Sequence, residues 1–280
     1  MSYGVVLVGR NDNYGNNLNE RFSYCINSMT RSFDEIIYVD WNTDDNKPTL
    51  IEEIKDNILL KNNIKFIRIS PERAKLFTQN NPNAQVVTEV LARNIGLRRL
   101  STDFLVSSNI DIIVPPIEKF NHVKDKENFY TTALRTISLY VVRELGLPQN
   151  IGEYYPKLVE LEKTYSQLPV VSVCPGDSFS LISSPGDFQI AHRDVWYKIK
   201  GFEESLVGRK YADTNIQRKA FIYGFGISVD RTIPVWHIGH DGGGGGAGHD
   251  NDMYKSVFME KTENPDTWGF SDEDLEMRTL

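Results

Sequence analysis

The sequence predicts a single α/β domain with a mostly parallel central sheet flanked by helices, and three observations support this. Short, wholly apolar runs such as Val5-Val6-Leu7-Val8 and Ile36-Ile37-Tyr38-Val39 have the character of strands covered on both faces. They alternate with stretches whose apolar residues recur at helical spacing. The resulting order of strand, helix, strand, helix, strand is that of a parallel sheet with right-handed crossovers.

Taken in order, the first strand is Val5 to Val8, followed by a polar loop rich in turn formers from Gly9 to Asn17. Phe22, Cys25, Ile26 and Met29 then fall at near-helical spacing, which predicts a helix over 18–31 packed on the sheet. Ile36 to Asp40 is the second strand, with Trp41 to Asp45 the loop beyond it. Leu50 to Leu60 reads as an amphipathic helix and Lys65 to Ile69 as the third strand. Residues 86–100 carry a helical stripe in Val87, Val90, Leu91 and Ile95. That helix delivers the chain into Thr102 to Val114, T-D-F-L-V-S-S-N-I-D-I-I-V, a buried strand with the polar cluster Asn109-Ile110-Asp111. A carboxylate at the mouth of a parallel sheet is what a metal-nucleotide site needs. A strand end with an ordinary polar turn fits the same residues, and the stretch by itself leaves both readings open.

Beyond it the pattern is less regular. A strand is expected at Phe129 to Ala133, an apolar segment at Ile137 to Leu145 and a helix at Tyr155 to Tyr165. Gly176 to Ile190 reads as loop and short strand, His192 to Ile199 and Thr214 to Tyr223 as helices, and Ile227 to Val229 and Ile233 to Trp236 as strands. Asp241 opens a tail with five consecutive glycines, too flexible for a core element and suited to a linker or a mobile loop. There is no internal repeat and no sign of a second domain.

Composition narrows the function. An apolar fraction of 40% with 11% aromatics is that of a folded globular chain. The net charge of −7, from 31 basic and 38 acidic residues, comes without a Lys/Arg block and argues against a nucleic-acid partner. Cys25 and Cys174 stand far apart, with no C-x-x-C spacing, so neither a disulfide framework nor a zinc site is expected. Neither a signal peptide nor a stretch long enough for a membrane helix is found. A soluble, cytoplasmic protein is the expectation.

Four fragments carry chemistry. The first is Ala92-Arg93-Asn94-Ile95-Gly96 with Thr102-Asp103-Phe104 and Asn109-Ile110-Asp111. The second runs from Gly186-Asp187-Phe188 through His192-Arg193-Asp194-Val195-Trp196 to Gly201-Phe202-Glu203-Glu204. The third is Asp213-Thr214-Asn215-Ile216-Gln217-Arg218, and the fourth Trp236-His237-Ile238-Gly239-His240. In this order they resemble the GT-A class of nucleotide-sugar glycosyltransferases. Family 2-like members place an A-R-N-x-G helix before a strand ending in D-x-D. The other fragments are similar to the G-x-F…W…G-G-F-D-E and E-D-x-D-x-x-x-R segments of galactosyl- and N-acetylgalactosaminyltransferases and to their H-V-G-H. Asn109 stands where D-x-D has its first aspartate, Lys200 replaces a glycine, and Ala212 replaces the glutamate before Asp213.

The resemblance implies a GT-A domain over 1–240, with a donor half to about 115, an acceptor half to about 240, and a tail over 241–280 packing on the same domain. It implies transfer of a sugar from a nucleoside diphosphate sugar, UDP-sugar favoured, to a glycan or other hydroxyl acceptor, with inversion. Mn²⁺, or Mg²⁺, would be held by Asp111 with His240 as the imidazole ligand and His237 as its competitor. Arg10, Asn11, Asp12, Asp40, Trp41, Arg93 and Asn109 would bind donor, with Asp40 reading the nucleoside. Arg93 has a second reading as the partner of a core carboxylate. Asp213 would be the general base, a role compatible with capping the helix that starts there. Asp187 and Trp196 fall on the acceptor side, Trp196 also fitting a packed aromatic. The Asp241–Gly248 loop and His249 would close over bound donor. A sugar-nucleotide nucleotidyltransferase and an inactive glycan- or partner-binding module are the alternatives; the first would want a glycine- and lysine-rich loop where Gly9-Arg10-Asn11-Asp12 stands.

Overall fold

The computed structural model describes residues 1–79, 86–120, 123, 125–165, 186–207, 212–241 and 263–280. Its strands are β1 (Tyr3–Gly9), β2 (Glu35–Trp41), β3 (Ile64–Ile69), β4 (Phe104–Ser108), β5 (Ile112–Ile113), β6 (Asn128–Ser138), β7 (Phe188–His192), β8 (Gly226–Gly239) and β9 (Met277–Thr279). They make one sheet in the order β5-β8-β6-β7-β4-β1-β2-β3-β9. The β3-β2-β1-β4 half is parallel throughout. β7 then runs antiparallel between β4 and β6, β6 pairs parallel with β8, and β5 and β9 are antiparallel edges. The expected parallel βαβ pattern thus forms one half of a mixed sheet.

The helices are α1 (Leu18–Met29), α2 (Leu50–Glu53), α3 (Pro71–Thr78), α4 (Glu89–Arg99), α5 (Leu139–Leu145), α6 (Ile151–Tyr165), α7 (Arg193–Ile199) and α8 (Ala212–Ile222). One apolar layer, under α1, joins Phe22, Cys25, Ile26 and Met29 to Val5, Leu7 and Ile36. Burying each of these large side chains contributes roughly 1.5–3 kcal/mol. The opposite layer packs α4, α7 and α8 on Val6, Val8, Ile37 and Val39. A third cluster under α5 and α6 centres on Trp236 and Tyr154.

The A-R-N-I-G segment shows how α4 is seated. A Cβ on Gly96 would stand 2.1 Å from Val6 Cγ2, so only glycine lets the helix approach β1 this closely. Asn94 donates to Phe202 O at 2.9 Å and accepts from Phe202 N at 2.8 Å. The second fragment is thereby tied to the first.

Two expectations need correction, and one strand was not foreseen. The helix expected over 50–60 stops at Glu53 after its Thr49/Glu52 capping box and is followed by a 3₁₀ turn at Lys55–Asn57. Asn27 of α1 takes the backbone groups a longer helix would use: its Nδ2 donates to Asn57 O and its Oδ1 accepts from Leu59 N. The two strands expected after residue 226 are one strand, β8, continued by pairing along β6 with a register shift between Thr132 and Leu134. β9 leaves no mark in the sequence, because its side chains are exposed and show no apolar alternation. It pairs antiparallel with β3 through Met277, Arg278 and Thr279. Among the described residues no helix is long and apolar enough to cross a membrane.

Candidate active site

The carboxyl ends of β1 and β4 open onto a cavity of about 780 Å³, within the range of small-molecule sites. Three candidates converge on its wall. Asp111 Oδ2 lies 3.1 Å from His240 Nε2 and 3.4 Å from His237 Nε2, and one ligand atom from each residue lies within 4.8 Å of the others. Strand pairing makes the convergence. β5 runs antiparallel to β8 with Ile112 opposite His237, and Ile238 N donates to Asp111 O. Asp111 is therefore delivered beside His237, and His240 follows one residue past the end of β8.

A fourth residue completes the cluster. Arg21, 1% exposed, donates from Nη1 to Asp111 Oδ2 at 2.6 Å. Its other nitrogens donate to Tyr14 O and to Asn16 O. The sequence held a signal for it: Leu18, Arg21, Phe22 and Cys25 fall on one helical stripe, and a cation in a buried stripe needs an anion.

The loop between β1 and α1 reaches the same place. Asn13, Gly15, Asn16 and Asn17 all have left-handed backbone, which Gly and Asn tolerate best. This fold-back puts the Tyr14 ring edge-on to His240 at 5.2 Å and lets Asn16 donate to Asp241 Oδ2. A Cβ on Gly15 would stand 2.3 Å from His240 Nδ1.

Electrostatics follow from the packing. Burial alone would raise the Asp111 pKa, but hydrogen bonds from His237 and His240 and the Arg21 charge hold it well below the usual carboxylate range. Burial opposes the charge on His237, yet Asp111 outweighs it and holds the imidazole above its ordinary value. Asp187 is pushed up to about 6, chiefly by burial, with His237 lowering it and Asp111 and Asp213 raising it.

Other candidates divide into two groups. Arg10, Asp12, Arg93, Asn109 and Asp187 line the cavity with the metal-ligand candidates. Arg93 donates to Ser107 Oγ, Asn109 Oδ1 and Glu89 Oε2. The carboxylate it pairs with, Glu89, is exposed and not in the core.

The remainder sit off the described wall. Asn11 is bound into its loop by Thr43 Oγ1 and Pro48 O. Asp40 is buried at the end of β2 and accepts from Tyr38, Thr43 and Leu50, while its Oδ2 has no hydrogen-bond partner. Burial pushes its pKa up to about 6. Asp213 opens α8 with its Cβ close against Gly186. Burial raises its pKa, against the backbone amides of Thr214 and its own residue.

The donor-side expectation for Trp41 is corrected, and of the two readings of Trp196 the packed aromatic is the one found. Trp41 is fully buried 6.1 Å from Phe77, on the face of β2 opposite Asp40, because side chains alternate along a strand. Trp196 is fully buried and donates from Nε1 to Leu105 O at 3.0 Å. Neither offers an open face to a sugar. Gly242–Gly248, His249 and Cys174 lie outside the described residues.

In fold the chain is similar to GalNAc-T7 solved with UDP, GalNAc and Mn²⁺, with a TM-score of 0.54 and 16% identity over 88% of this chain and 44% of that one. It is also similar to S. aureus TarS 1-349 in complex with UDP-GlcNAc, with a TM-score of 0.52 and 14% identity over 86% of this chain and 60% of that one. The chain therefore spans less than two thirds of the length of either. No protein-family model and no curated protein matches it in sequence. The fold is that of the GT-A glycosyltransferases.

Proposed function

We propose that this protein transfers a sugar from a nucleoside diphosphate sugar to a hydroxyl acceptor, with a divalent cation held by Asp111, His237 and His240. The convergence of these three side chains on a cavity at the carboxyl edge of a GT-A sheet carries the reading. One carboxylate oxygen and two imidazole nitrogens form a donor set that suits Mn²⁺ better than Mg²⁺. Such a cation, when bound, supplies Lewis-acid neutralisation of the leaving diphosphate. UDP is the favoured nucleotide, in keeping with the ligands of GalNAc-T7 and TarS.

The chain's own residues have the remaining tasks. Arg10 and Arg93 supply positive charge within the cavity for the diphosphate. Asp213, beside Gly186 and held above the usual carboxylate range by burial, takes the acceptor hydroxyl proton as the sugar moves with inversion. Among the described residues lining the cavity there is no lysine, which speaks against the nucleotidyltransferase alternative.

A thermal-shift screen of UDP-, GDP- and dTDP-sugars with and without Mn²⁺, followed by an assay for nucleoside diphosphate release, tests the reading. A donor that raises Tm only with Mn²⁺, and only while Asp111 is intact, supports it. No stabilisation by any donor would sink it.

A further inference from the structure

The pairing of β4 with β7 brings a carboxamide and a carboxylate together on the cavity wall. Ser108 lies opposite Phe188 in this antiparallel pair, so the next residues outward, Asn109 and Asp187, face each other. Asn109 N and Ser108 Oγ both donate to Asp187 O, at 3.2 and 3.0 Å. Asn109 Nδ2 donates to Asp187 Oδ1 at 2.6 Å, while Asn109 Oδ1 accepts from Arg93.

Both ends of the Asn109 side chain are therefore engaged, a donor facing Asp187 and an acceptor facing Arg93. Only an amide can serve both. An aspartate at 109 would press two carboxylates together at hydrogen-bond distance. The carboxylate at this point of the cavity consequently belongs to residue 187. Asp187 itself lines the cavity, with Oδ1 held by Asn109. A carboxylate here repels phosphate and accepts from an uncharged O–H, whereas Arg10, Arg93 and the Asp111-His237-His240 cluster offer the diphosphate its partners.

The geometry points to Asp187 as the residue that recognises a ring hydroxyl of the sugar nucleotide, with Asn109 and Arg93 as its positioning residues. This rests on the proposed glycosyl transfer, and it moves Asp187 from the acceptor side to the donor side of the reaction. The hydroxyl belongs either to the ribose or to the transferred sugar.

An exchange experiment tests it with three variants: Asp187→Asn, Asn109→Asp and the double exchange. Binding of UDP and of the best UDP-sugar is measured by calorimetry, Mn²⁺ binding by electron paramagnetic resonance, and stability by urea denaturation. Asp187→Asn keeps an oxygen for Asn109 to donate to, so it should fold and bind Mn²⁺ as wild type does. It should bind the UDP-sugar about 10- to 100-fold more weakly, the range for losing a hydrogen bond to a charged group. Equal weakening of UDP assigns the ribose hydroxyl, and weakening of the UDP-sugar alone assigns the transferred sugar. Asn109→Asp should be destabilised. In the double exchange the carboxylate introduced at position 109 can accept both from Arg93 and from the amide introduced at position 187. Stability should therefore return while donor affinity stays low. Wild-type donor affinity in Asp187→Asn, or its full return in the double exchange, would overturn the assignment. Failure of the wild-type protein to bind any donor would instead overturn the glycosyl-transfer reading and this inference with it.

Discussion

Replacing Asp111 by Ala should unfold the metal-free protein more easily, by an amount the Arg21 pair sets. Arg21 is 1% exposed and its guanidinium lies 2.6 Å from Asp111. Removing one member of a buried ion pair typically costs about 3–5 kcal/mol, because the survivor is left as an unpaired buried charge. Arg21 would retain Tyr14 O and Asn16 O, neutral acceptors that soften the loss, so about 3 kcal/mol is the figure expected. For a chain of this size that corresponds to a fall in Tm of about 5 °C. Urea denaturation in chelator, on wild type, Asp111→Ala, Arg21→Met and the double variant, measures it. The double variant leaves no orphan charge, so its loss should fall short of the summed single losses by about 2 kcal/mol. The pH dependence has a definite sign. Asp111 is held below its unfolded value, so its contribution is present at neutral pH and is lost as pH falls through the acid range. Adding Mn²⁺ at a hundred times its Kd should stabilise wild type by about 2.7 kcal/mol and Asp111→Ala by nothing. Single-variant losses that add to within about 0.5 kcal/mol would refute the coupled pair.

Gly15→Ala meets both a left-handed backbone, φ +66°, and the His240 ring at 2.3 Å; it should cost about 1–3 kcal/mol and weaken Mn²⁺ binding at least about tenfold by displacing one of three ligands, as measured by paramagnetic resonance. The Asp40 pKa is raised to about 6, so its stability term is fully present below the ordinary carboxylate pKa and is lost as pH rises through 6. Asp40→Asn should therefore gain on wild type by up to about 3 kcal/mol between pH 4 and pH 7 in denaturation titrations. Asp213→Asn should bind donor with wild-type affinity by calorimetry and lose turnover by about a hundredfold or more; retained turnover would remove it as the base.

Much of the fold was legible because buried parallel strands write themselves as continuous apolar runs. Val5 to Val8 and Ile36 to Val39 could be read directly, as could the helices whose apolar residues recur every three or four positions. Elements whose form depends on partners distant in sequence were harder to read. Leu50 to Leu60 has a helical pattern, but Asn27 takes its backbone. β9 lies exposed at an edge, held by β3 alone. In the site, Arg21 was missed although its place on a buried stripe was visible, and Trp41, expected at the donor, belongs to the core, as the packed reading of Trp196 also holds.

The local pattern of the sequence determined the alternation of strands and helices, the acid Asp111 beside a strand end and the histidines that follow β8. The tertiary structure decided which of these residues meet. The pairing of β5 with β8 joined Asp111 to His237, and that of β4 with β7 joined Asn109 to Asp187. Register between strands far apart in the chain is fixed by the packing of both faces of the sheet. A residue's own neighbours in sequence carry no record of that packing.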